Sequence, residues 1–138
     1  MVRLFVGIKG SGKTKRMIDM ANDSNNTSDG SVVFINKDSR LMCNLHYNIR
    51  FVSLEDYDIE DIATYNGFIY GILSSNHDID TIYIDSLLKH ANIHMNDVPK
   101  FLDKLAKIGE KFNVEFIVSI SSTMKELPER VKEYTVLS

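Results

Sequence analysis

The run Gly7-Ile8-Lys9-Gly10-Ser11-Gly12-Lys13-Thr14 decides how this chain is read, because it follows the pattern G-x-x-x-x-G-K-[ST] of a phosphate-binding loop. An apolar run of strand character, Val2 to Val6, leads into it, and a run of helical character, Lys15 to Ala21, leads out. A strand, a tight loop and a helix in that order turn successive backbone N–H groups toward one point and make an anion nest. The helix N-terminus adds unsatisfied donors and a partial positive charge. Gly7, Gly10 and Gly12 permit backbone angles and close approaches that a Cβ would obstruct. In this pattern the lysine, here Lys13, reaches the β- and γ-phosphates, and the hydroxyl, here Thr14, ligates Mg2+. Lys9, Lys15 and Arg16 bring further positive charge to the same place, and their simplest role is to serve the nucleotide. The expected nucleotide-binding set is Gly7, Ile8, Lys9, Gly10, Ser11, Gly12, Lys13, Thr14 and Lys15. The competing reading is a glycine-rich turn with an incidental lysine, and the strand-loop-helix context argues against it.

Bulk properties narrow the classes. A chain of 138 residues with 43% hydrophobic content suits one domain, 1–138, with a single sizeable core. A net charge of −3 argues against the whole protein being a general nucleic-acid or membrane binder, while leaving room for a local basic patch such as Lys9, Lys13, Lys15 and Arg16 at the loop. Cys43 is the only cysteine, so no intramolecular disulfide forms, which suits a reducing compartment. The chain enters its first strand at once, with no charged and apolar leader, and no apolar run is long enough to span a bilayer. These features predict a cytoplasmic protein.

Outward from the loop, the pattern alternates. The first helix is expected over Lys13–Ala21, with Met17, Ile18, Met20 and Ala21 on one face, followed by a polar loop over Asn22–Ser31. Val32-Val33-Phe34-Ile35 reads as a strand buried on both faces, and residues 49–53 as a weaker strand. Ser53 and Asp56 resemble a helix-start capping box, and the acidic run Glu55–Asp61 suits a first helical turn, carried on to about Leu73 across Gly67 and Gly71. Asp80–Asp85 is a strand and Ser86–Ala91 a short helical piece. Asp97–Phe112 is the clearest helix, with Pro99 in its first turn and apolar residues at helical spacing. Val114–Ile120 is a strand, Met124–Lys132 a short helix disturbed by Pro128, and Tyr134–Leu137 a short edge strand. Alternating strands and helices predict an α/β fold, a mainly parallel sheet between two helical layers.

A second motif supports the first. Ile82-Tyr83-Ile84-Asp85 is an apolar strand ending in aspartate, the form of a Walker B segment, whose carboxylate holds Mg2+ beside the loop threonine. Helix capping by Asp85 is the plain alternative. Many P-loop ATPases follow this aspartate with a glutamate that polarises water; here Ser86 stands there. The D-x-x-G turn of GTPases is absent from Asp85-Ser86-Leu87-Leu88, and Asn36-Lys37-Asp38-Ser39 has a serine where guanine reading needs aspartate. These departures favour adenine over guanine.

Two segments resemble the RecA-like branch of P-loop ATPases. Val32 to Ser39 is similar to a second strand whose terminal carboxylate polarises water, which makes Asp38 the candidate base; turn formation by Asp38 is the alternative. Val114–Ile120 with Ser121 and Ser122 resembles the strand between the loop strand and the Walker B strand, whose polar end senses the γ-phosphate; helix capping is the alternative for these serines. Across most of its length the chain also resembles small bacterial P-loop proteins often labelled ATP-binding or twitching-motility (PilT-like). The resemblance is carried by V-G-I-K-G-S-G-K-T from Val6, I-Y-I-D-S-L-L-K from Ile82, F-L-D-K-L from Phe101 and E-L-P-E from Glu126. The pilus retraction motor itself has an extra N-terminal domain and arginine fingers, for which this sequence offers no counterpart.

Weaker constellations carry less. His90 and His94 at i, i+4 lack the glutamate of a zinc-protease motif and a third ligand, and read as surface residues. His46 and His77 stand alone, and Cys43 has no base partner. The Phe, Tyr and Met residues fall mainly in strand and helix patterns, as core rather than as a base-stacking platform. The leading expectation is a Mg-ATP-binding P-loop NTPase, a slow hydrolase or an ATP-dependent switch. In it Lys13 stabilises the transferring group, Asp38 is the candidate base, and Thr14 and Asp85 hold Mg2+. A partner or a second copy supplying an arginine finger would raise the rate by about 10³–10⁵. The alternatives are a nucleoside or nucleotide kinase and a non-hydrolysing module that binds another protein according to nucleotide.

Overall fold

In the computed structural model, which describes residues 1–137, strands and helices alternate from the first residues onward. In chain order they are β1 (Val2–Gly7), α1 (Lys13–Thr27), β2 (Ser31–Asn36), β3 (Arg50–Ser53), α2 (Ile62–Ser75), β4 (Ile79–Ile84), α3 (Val98–Phe112), β5 (Glu115–Ser121) and β6 (Thr135–Leu137). The strands form one six-stranded sheet in the order β3-β2-β4-β5-β1-β6, and every pairing is parallel.

Side chains alternate across the sheet, so each central strand serves two apolar layers. Val33 and Ile35 face α2 and α3, where they meet Tyr65, Ile69, Phe101 and Leu105 in one cluster. Val32 and Phe34 face α1 and join Met17, Ile18 and Ala21 in the other. Burial on both faces is why β2 reads as an unbroken apolar run. The molecule is an α/β protein with an all-parallel sheet and helices on both faces. Among the described residues no helix is long and apolar enough to cross a membrane.

Several elements depart from the sequence reading. Helix α1 runs on through Asn22–Thr27, where a loop was expected. Polar residues that compete with a helix backbone in isolation are occupied elsewhere. Asn22 donates through Nδ2 to the Asn44 carbonyl at 3.1 Å and accepts from the His46 N–H at 2.8 Å. The Ser24 hydroxyl bonds the Tyr83 hydroxyl at 2.7 Å. Helix α2 begins later than expected: Asp61 accepts the Thr64 N–H at 2.7 Å and is its cap, while Ser53 caps nothing. The acidic run before it forms one 3-10 turn, Leu54–Asp56, and an irregular passage. Ser86–Ala91 shrinks to a 3-10 turn at Leu87–Lys89, and Met124–Lys132 to one at Glu129–Glu133.

Helix α3 ends at Asn113 in the left-handed conformation, a C-cap at which its N–H bonds the Gly109 carbonyl. The same carbonyl accepts the Val114 N–H at 2.9 Å, so the chain turns straight into β5. A Cβ on Gly109 would lie 2.5 Å from the Val114 carbonyl oxygen, so this turn needs glycine.

Candidate functional site

The C-terminal ends of β1, β5, β4 and β2 lie side by side, and the loop after β1 borders a cavity with residues that end β5 and follow β4. This is the edge of a parallel sheet where ligands generally bind. Gly10 and Gly12 both have positive φ, 84° and 88°, the conformation that lets the loop curl before α1. Gly12 sits at the N-cap of α1, so the first helical residues are Lys13 and Thr14.

Lys13 is buried, and its Nζ donates to the Gly7 carbonyl at 2.7 Å and to the Ile8 carbonyl at 3.0 Å. Its ammonium is thus tethered across the loop that it belongs to, with one of three N–H donors to spare. Burial holds its pKa below the ordinary lysine range, against an opposing pull from the Asp85 carboxylate.

Thr14 and Asp85 meet, although they lie 71 residues apart: the Thr14 hydroxyl donates to the carboxylate at 3.0 Å. Asp85 is almost fully buried just beyond β4, and its N–H is bound by the Ile35 carbonyl at 3.0 Å. Its carboxylate also accepts from the Ser119 hydroxyl at 2.7 Å. Ser119 in turn accepts the Ser86 N–H at 2.6 Å, which holds Ser86 in the left-handed region at φ 60°. Helix α1 and strand β5 therefore converge on the carboxylate at the end of β4.

Thr14 and Asp85 form a hard-oxygen pair suited to Mg2+, which commonly takes one or two protein oxygens and completes its shell with water and phosphate. Among the described residues no group of three or more His, Cys, Asp or Glu side chains is placed to hold a metal.

Two adjoining cavities share this ground. One, of about 360 Å3, is lined by Lys9, Gly10, Gly12, Lys13, Thr14, Ser86, Lys89 and Ser121. The other, of about 350 Å3, is lined by Asn36, Lys37, Asp38, Arg40, Leu41 and Asp85, and shares Thr14, Ser86 and Lys89 with the first. Asp38 thus reaches the trough, but Arg40 engages it: the guanidinium Nε donates to one carboxylate oxygen at 3.0 Å and the Arg40 N–H to the other at 3.1 Å. Those bonds, led by the guanidinium's, hold the Asp38 carboxyl below its usual range and weaken it as a proton acceptor.

The remaining expected residues divide. Ser121 faces the first cavity beside Gly7, its partner in the sheet. Ser122 bonds its hydroxyl to the Thr123 carbonyl at 2.8 Å and does not line it. Lys15 pairs with Asp19 at 2.9 Å along the outside of α1 and borders a neighbouring groove. Ile8 stands exposed at the loop tip, and the Ser11 N–H closes the loop on the Ile8 carbonyl at 3.1 Å.

His90 is not a surface residue: it is buried, and its Nδ1 shares a 2.9 Å hydrogen bond with the Tyr65 hydroxyl. His94 is exposed in a different turn, so the two histidines share no helical face. Sequence reasoning missed Ser119 and Lys89. A single polar residue in the apolar run Phe116 to Ile120 was the available signal for Ser119. Lys89 follows the β4 aspartate too closely in an irregular turn for periodicity to mark it.

Neither a scan against protein-family models nor a search of curated proteins returns a match for this chain.

Proposed function

We propose that the chain is a Mg-ATP-binding P-loop NTPase with a RecA-like strand arrangement, acting as a slow hydrolase or as an ATP-dependent switch. The observation that carries this reading is the hydrogen bond from Thr14 to Asp85, because it joins the two sequence motifs in one site. The strand order supports it as well: β5 lies between β1 and β4, where the RecA-like resemblance expects a strand. Adenine is preferred because the guanine-reading signals are absent from the sequence.

In this reading the loop amides and Lys13 bind the phosphates, and Lys13 exchanges its bonds to the Gly7 and Ile8 carbonyls for bonds to phosphate oxygens. Thr14 and Asp85 hold Mg2+, which neutralises charge on the β- and γ-phosphates when bound. Ser119 orients Asp85, and Lys89 adds positive charge where the two cavities join. Turnover is slow because Ser86 replaces the water-polarising carboxylate and Arg40 occupies Asp38. A cation from a protein partner or a second copy would accelerate it.

The test is thermal unfolding with ATP, ADP, GTP and GDP, with and without Mg2+, on the native protein and Lys13→Ala. Mg-ATP is expected to raise the native midpoint and to leave Lys13→Ala unmoved. A native protein that no nucleotide shifts, or a variant that binds and turns over normally, would overturn the reading. Phosphate release then separates hydrolase from switch.

A further inference from the structure

The surface between α2 and α3 is built unlike the rest of this acidic protein. Lys100, Lys104, Lys107 and Lys111 recur at intervals of four, three and four along α3, and so form one stripe on the helix. The stripe spans about 16 Å at 1.5 Å per residue. None of the four lies within ion-pair distance of a carboxylate among the described residues. Asp103, on the same helix, is already taken by Arg130 and by the Tyr134 hydroxyl. Asp97 accepts the His94 N–H at 3.0 Å.

Across from the stripe, Ile62, Asn66 and Tyr70 follow one another along one face of α2 at intervals of four. Together the two helices border a cavity of about 560 Å3, lined in part by Ile62, Asn66, Phe101, Lys100, Lys104 and Lys107. Asn96, Asp97, Asp103 and Arg130 complete its polar rim. Asn66 is half-buried at this lining, and its side-chain oxygen has no hydrogen-bond partner among the described residues.

Further along the same two helices, beyond the residues that line the cavity, two rings meet edge to face, Tyr70 and Phe112, with centroids 6.2 Å apart. Both remain more than a third exposed, 36% and 40%. Lys104 lies 5.6 Å from the Tyr70 ring centre and Lys111 lies 5.6 Å from that of Phe112.

We propose that this groove binds single-stranded nucleic acid, the lysine stripe tracking the phosphates and the Tyr70–Phe112 pair stacking with a base. Rows of unpaired cations beside accessible aromatic faces are the general means of gripping a single strand. An acidic peptide would satisfy the lysines but would bring no flat face to the rings, so the aromatic pair favours the nucleic acid. The site is separate from the Lys13 loop and stands whether or not that loop binds ATP.

The test is fluorescence anisotropy of the full chain with labelled twelve-residue oligo(dT) and oligo(U) across a salt series. With four phosphate contacts, log K should fall against log salt with a slope of about −3. Lys104→Gln/Lys107→Gln should weaken binding and roughly halve that slope, and Lys104→Glu/Lys107→Glu should weaken binding further. Tyr70→Ala should cost about fivefold or more without changing the slope. Lys13→Ala should bind the oligonucleotide as well as the native chain does, and circular dichroism checks that each variant is folded. No binding at about 50 mM salt overturns the proposal. So does binding that follows Lys13 rather than the α3 lysines. Equal competition by a glutamate peptide of matched charge would assign the groove to acidic protein segments instead.

Discussion

At the scale of single residues the site depends on a hydroxyl that contacts no expected ligand. Ser119 donates to Asp85 and accepts from Ser86, so one side chain fixes both the carboxylate and the strained residue beyond it. Ser119→Ala leaves a buried carboxylate oxygen short of a donor and a backbone N–H short of an acceptor, at a cost of roughly 1–3 kcal/mol in folding stability. On the proposed reading of the site it should also weaken the Mg2+ dependence of nucleotide binding, because Asp85 loses its orientation. Urea unfolding measures the first effect and Mg2+ titration of the thermal shift the second; an unchanged Mg2+ dependence would reduce Ser119 to a packing role. The loop glycines, Lys13, Thr14 and Asp85 were legible because their spacing is itself the signal. Ser119 was hard to read because its importance comes from the register of β5 against β4, which continues from the Val118–Ile84 pair to Ser119 and Asp85. Asp38 lines the second cavity, yet its carboxylate is committed to Arg40 two residues on, a local turn that competes with any role as a base.

At the scale of elements, the central strands announced themselves by unbroken Val, Ile and Phe runs, and α3 by its apolar repeat. What escaped were ends and caps. The last turns of α1 consist of residues that favour loops, and they are helical because Asn22 and Ser24 find partners on the 44–46 segment and on Tyr83. No local pattern encodes such remote bonds. The junction from α3 to β5 makes a sharper prediction. Gly109 must let the Val114 carbonyl approach to a distance that a Cβ forbids, so Gly109→Ala should destabilise the chain by about 1–3 kcal/mol although alanine favours helices. Gly67→Ala in α2, where an added Cβ meets nothing within 4 Å, is the control and should stabilise by up to about 1 kcal/mol. Equal effects at the two positions would show that the junction yields more readily than its geometry implies.

At the scale of the whole molecule, acid stability is tied to the layer between the sheet and α2. His90 is buried beside Tyr65, and burial pushes its imidazole down from 6.5 to about 4, against a weaker opposing influence from the Asp85 backbone. The unfolded chain therefore takes up a proton near pH 6.5 that the folded chain refuses until about pH 4. The stability linked to neutral His90 is complete above pH 6.5 and falls as pH drops through the window to about 4, by about 3 kcal/mol in all. Urea unfolding at several pH values across that window checks this, and His90→Gln should flatten the slope by one proton. A native slope already flat there would mean that His90 charges freely in the folded state. The Asp38, Asp61 and Asp103 carboxyls, all held below their usual range, add their own losses only at lower pH.

The placement of β1 has a consequence in time. Its partners in the sheet are β5 and β6, at residues 115–121 and 135–137, so the first strand made is flanked by the last ones made. On a ribosome adding about 5–20 residues per second, the Lys13 loop waits on the order of ten seconds before the strand beneath it has neighbours. If the loop takes nucleotide as proposed, the nucleotide rewards only the finished sheet and does not steer its early assembly. Such long-range parallel closure also makes folding slow and leaves an apolar β1 exposed in the meantime, when a chaperone has the most to hold.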